Sequence, residues 1–91
     1  MVNVVTYDLR KPGRDYSDLY AAIKSYGAWA HQLESVWFVD TQASPSDIRD
    51  HLKQYIDSND VLFVSKLARH WASFNLSDEL VDWLKADNRT W

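Results

Sequence analysis

The chain has no cysteine and only two glycines and two prolines. Without thiols it can build neither a disulfide framework nor a thiolate metal site, and such a composition suits a reducing cytoplasm. Two glycines cannot supply the glycine-rich loops that wrap phosphates, and no nucleophile elbow or zinc spacing occurs. No apolar run approaches the roughly 18 residues of a membrane span, and no basic-then-apolar leader is recognisable. A soluble, cytoplasmic protein is the expectation.

What the chain has is aromatic bulk. Five tryptophans among 91 residues, with 46% hydrophobic content, exceed what disorder tolerates. They predict one tight domain, a subunit interface, or both. The net charge of −3 argues against a general nucleic-acid binder. Residues 1–24 nevertheless hold four Lys or Arg against three Asp or Glu, whereas residues 25–64 hold two against six. Any basic surface is local, drawn from the first loop and from the Lys66, Arg69, His70 neighbourhood.

The β-branched run Val2–Tyr7 reads as a strand, broken by Pro12-Gly13. Asp15 caps a helix over about 16–26, which Gly27 stops in left-handed conformation. Residues 28–41 read as extended, either two antiparallel strands broken near Leu33-Glu34-Ser35 or one bulged strand. Ser44, Pro45 and Asp47 mark a second helix with Ile48, Leu52, Tyr55 and Ile56 on its apolar stripe. A last strand spans Val61–Leu67. Ser77 then caps a third helix, with Leu76 and Val81 placed as a hydrophobic staple.

The order β-α-β-β-α-β plus a terminal helix predicts an α+β, ferredoxin-like split βαβ domain with an antiparallel sheet. One domain covers 1–91, its core about 1–67 and its helical extension about 68–91. The strands are apolar on both faces: Val2, Val4, Thr6 and Asp8 oppose Val5 and Tyr7, while Val61 and Phe63 oppose Leu62 and Val64. Two crossover helices cover one face only. A second copy is the favoured cover for the other, and the terminal helix with Trp71, Phe74 and Trp83 is the alternative.

Tyr7-Asp8-Leu9, Lys11-Pro12-Gly13, Asp15-Tyr16, Gly27-Ala28-Trp29 and Leu33-Glu34-Ser35 together resemble the stand-alone SinR-like branch of a larger superfamily. That superfamily comprises the small ferredoxin-fold CRISPR-associated endoribonuclease-like and integration-adaptor proteins, with VapD-like ribonuclease toxins more distant. The overlap spans about residues 3–67. The resemblance implies homodimers whose sheets pack face to face. It also implies that Asp8 of each subunit meets its counterpart there as catalytic residue and ligand of a shared divalent ion such as Mg²⁺.

Asp8 alone is a poor Mg²⁺ site, since that ion takes one or two carboxylates plus substrate phosphate. The plainer role is an ion pair with Arg10 or Arg14. Arg10, Lys11 and Arg14 have the spacing of a short loop that positions RNA or DNA phosphates; the plainer role is solvated charge, partly neutralised by Asp15 and Asp18. His31, His51 and His70 lack ligand spacing, His51 being a helix-boundary residue and His70 the best placed of the three to carry a proton. The tryptophans read as core or interface before base-stacking platforms. Two functions remain open: a homodimeric, metal-dependent ribonuclease or nucleic-acid binder, and a non-catalytic dimeric module that binds another protein in a defence, phage or toxin–antitoxin setting.

Overall fold

The computed structural model describes all residues, 1–91. Strand β1 (Val2–Asp8) leads into α1 (Ser17–Lys24), and β2 (Ala28–Leu33) turns through Glu34-Ser35 into β3 (Val36–Asp40). Helix α2 (Pro45–Leu52) tightens into one 3-10 turn, Lys53–Tyr55, before β4 (Val61–Lys66); α3 (Asp78–Lys85) follows. The sheet order is β2-β3-β1-β4 with every neighbouring pair antiparallel. This is the ferredoxin-like split βαβ arrangement with a C-terminal helix. No helix is long and apolar enough to cross a membrane.

The helix boundaries follow from short polar residues. The Ser44 hydroxyl accepts the Asp47 N–H at 3.1 Å, and Pro45 occupies a first-turn position whose missing N–H costs nothing. The Ser77 hydroxyl likewise accepts from Leu80 N–H at 3.2 Å. Helix α1 is shorter than 16–26: Tyr16 holds the cap position, and Asp15 serves it indirectly by accepting the Ser17 N–H at 2.9 Å. Gly27 adopts φ +89° as its position after the helix requires. Both readings of residues 28–41 hold in part, because β2 and β3 are separate strands and β2 carries a bulge between Ala30 and Leu33.

One sheet face meets α1 and α2. Val5, Trp37 and Val39 pack there with Leu19, Ile23, Ile48 and Leu52 into the main core. On the opposite face the register sets four cross-strand rows: Ala28-Asp40-Val2, then Ala30-Phe38-Val4-Ser65, then Leu33-Val36-Thr6-Phe63, and last Asp8-Val61. Helix α3 covers the first two rows, with Leu80 and Leu84 buried against Val2, Ala30 and Phe38. The chain's own tail thus takes part of the face for which the strand pattern favours a second copy. Trp71 and Trp83 join this layer. Phe74 does not; it is 90% exposed on the connection before α3.

The tail is locked at its far end. Thr90 donates its backbone N–H to the Asp40 carboxylate at 2.8 Å and its hydroxyl to the same group, and its carbonyl accepts the Val2 N–H at 2.9 Å. The Arg89 guanidinium lies over the Trp83 ring at 4.3 Å and pairs with Asp40 at 3.7 Å. Burial pushes the Asp40 carboxyl up, but bonds from Thr90 and from the Met1 amino group outweigh it and hold it below the ordinary range.

Candidate functional site at the open half of the sheet

The rows that α3 leaves open end at Asp8. Val61 and Phe63, 44% and 62% exposed, stand beside it across the β1–β4 pair. Leu33 is exposed at the other end of the third row. Asp8 itself is well exposed and accepts from Arg10 Nε at 2.9 Å, the plainer of the two roles its sequence position suggested.

The basic loop is held by its own protein. Lys11 Nζ and Arg14 Nη1 each lie 3.2 Å from Asp57 Oδ2, and Arg14 also reaches the Tyr55 carbonyl at 3.4 Å. Asp60 accepts the Arg10 N–H at 2.6 Å, the Tyr16 hydroxyl at 2.7 Å and the Asp57 N–H at 2.7 Å. The neutralising acids are therefore Asp8 and Asp57, with Asp60 bracing the backbone, and not Asp15 and Asp18. The hydrogen bond from Lys11 holds the Asp57 carboxyl below its ordinary range. Burial works to raise that of Asp60, but the donors from Arg10, Asp57 and Tyr16 prevail and lower it. A phosphate approaching this loop meets cations already partnered by carboxylates, though the exposed Arg10 and Lys11 make individually weak pairs.

Beside Asp8 lies a cleft of about 520 Å³ lined by Tyr7, Asp8, Leu9, Tyr20, Glu34 and Ser35. The Tyr7 hydroxyl accepts from Trp37 Nε1 at 3.0 Å. Burial raises the Tyr7 phenol above its ordinary value despite that bond. Sequence reading missed Tyr7, Tyr20 and Glu34 as companions of Asp8. The signal was available: a tight β2–β3 turn beside β1 sets Glu34 and Ser35 at the end of the strand that carries Asp8.

The chain does not by itself bring together three acidic or histidine side chains able to hold a metal ion. Asp8, exposed and bonded to Arg10, is a poor fit for Mg²⁺ within one chain. The histidines are occupied apart from one another. His31 stacks on Trp37 at 3.7 Å with its Nε2 2.9 Å from the Glu34 carbonyl. His51 Nδ1 meets the Tyr26 hydroxyl at 2.8 Å, a boundary role. His70 is exposed on the connection after β4. No protein-family model matches the chain, and no solved structure matches it.

Proposed function

We propose that the protein is a homodimeric interaction module without catalysis of its own, joined through the sheet rows that α3 leaves open. The observation that carries this is Phe63 and Val61 exposed on β4 beside Asp8, in the part of the sheet face that α3 does not cover. Hiding what remains exposed of these two side chains contributes about half of the 1.5–3 kcal/mol that a fully exposed one would give. A second copy is the fitting occupant because the rim holds both signs, Asp8 and Arg10. A twofold contact sets the acid of each copy toward the base of the other. Lys11 and Arg14, both held by Asp57, favour this reading over phosphate binding there.

Light scattering at micromolar concentration tests it. A dimer mass is expected for the parent, and a monomer with unchanged circular dichroism for Phe63→Lys. A parent that stays monomeric sinks the proposal.

A divalent-metal ribonuclease is the second reading, favoured by the position of Asp8 at the rim of the same open rows. This reading needs a different twofold axis, one that sets the two Asp8 carboxylates opposite each other instead of Asp8 opposite Arg10, so that the pair supplies what one chain lacks. Labelled RNA and DNA incubated with Mg²⁺ or chelator distinguish the readings. Metal-dependent cleavage lost in Asp8→Asn supports the ribonuclease; no cleavage, or cleavage that survives the substitution, removes Asp8 from catalysis.

A further inference from the structure

The tail layer contains a second cleft, of about 500 Å³, whose lining includes Arg69, Trp71, Lys85, Asp87 and Trp91 around Leu84. We infer that this cleft is a binding site for a nucleotide, its phosphate held by Arg69 and Lys85 and its base by the faces of Trp71 and Trp91.

The argument begins with the cations. Arg10, Lys11, Arg14, Arg49, Lys53 and Arg89 all have carboxylate partners. Lys24, Lys66, Arg69 and Lys85 have none, and of these four Arg69 and Lys85, both exposed, line one cleft. Two uncommitted cations lining one cleft are a place for an anion. The Arg69 guanidinium stands 5.8 Å from the centre of the Trp91 ring, so the charge lies directly against an aromatic surface.

The indoles narrow the ligand. Trp71 and Trp91 are only partly buried and both line the cleft. Stacking on an indole selects a flat aromatic group, and every nucleobase has such a face. Asp87 disfavours a ligand that is anionic throughout, but its carboxylate can accept from a base amino group or a ribose hydroxyl. A planar, donor-bearing head joined to a phosphate satisfies all five side chains. The volume lies within the usual range for small-molecule sites. A free nucleotide and the end of a single strand share this chemistry.

The test uses the full chain with AMP, inorganic phosphate and a short 5′-phosphorylated single-stranded RNA, read by tryptophan fluorescence and calorimetry. Saturable AMP binding at least tenfold tighter than that of phosphate is expected, weakening as salt rises. Lys85→Glu with Arg69→Glu should abolish it, and Trp91→Leu should weaken it at least fivefold. Lys24→Glu, which alters a cation outside the cleft, should leave it unchanged. RNA binding sensitive to the same substitutions identifies a strand end as the source; AMP binding alone identifies a free nucleotide. Absence of saturable AMP binding overturns the proposal, as does affinity indifferent to the Lys85 and Arg69 changes. Thermal melting of each variant, above all of Trp91→Leu at its partly buried position, checks that loss of binding is not loss of fold.

Discussion

Asp40 and Thr90 stand fifty residues apart and are joined twice, through the backbone N–H and the hydroxyl of Thr90. The same carboxylate faces the buried Arg89 guanidinium, whose Nε has no hydrogen-bond partner. Asp40→Ala therefore removes the anchor of the tail and strands a buried cation. A loss of about 3–5 kcal/mol is expected, measured by urea denaturation.

Acid should act through the same groups. The Asp40, Asp57 and Asp60 carboxyls all lie below their ordinary range in the folded chain. Their contribution to stability is complete above the unfolded value of about 3.9. It is lost as pH falls through the lowered folded values, where the unfolded chain already binds more protons. The melting temperature should hold between neutral pH and about pH 5 and drop below about pH 4. Asp40→Asn should make that drop shallower; an unchanged profile would dismiss Asp40 as a contributor.

Leu84 plugs the second core between α3 and the sheet. Leu84→Ala should cost about 2–5 kcal/mol. Because it loosens the cover over Val2 and Phe38, it should also raise binding of an apolar dye. A melting temperature equal to the parent's would mean that the tail adds nothing to the fold.

The loop cations make a sharp negative prediction. Arg10→Ala combined with Arg14→Ala should change RNA affinity by less than about twofold, since both are already paired. Stability should fall by about 1 kcal/mol or less for the exposed Arg10–Asp8 pair and by more for the half-buried Arg14, which also bonds the Tyr55 carbonyl. A salt-dependent loss of tenfold would return the loop to phosphate binding.

Gly27 tests the backbone alone. A methyl group placed there meets nothing within 4 Å, yet φ is +89°. Gly27→Ala should cost about 1 kcal/mol through conformation only.

Much of this architecture is legible because its signals are local. Ser44-Pro45 and Ser77 announce their helices through hydroxyls that need only the next turn, and alternation within each strand sets Val4 against Val5 and Phe63 against Leu62. The cover of that face is not local. Trp71, Phe74 and Trp83 are equally apolar on paper, but only the fold decides that Phe74 stays outside. The acids that bind the first loop were missed for the same reason, although topology offers a clue. An antiparallel β4 sets the residues just before Val61 beside those just after Asp8, so Asp57 and Asp60 must land near Arg10 and Arg14. The β2–β3 turn likewise points to Glu34 beside Asp8, whereas the cleft of Arg69 needs the three-dimensional arrangement itself, since no spacing along the chain announces it.

The clasp at Asp40 has a dynamic corollary. One carboxylate secures the outset of the first strand and the residues beyond α3, so neither segment can fray without loosening the other. Amide exchange at Val2 and Thr90 should therefore proceed at a common rate, as a single opening that briefly uncovers Phe38 to water.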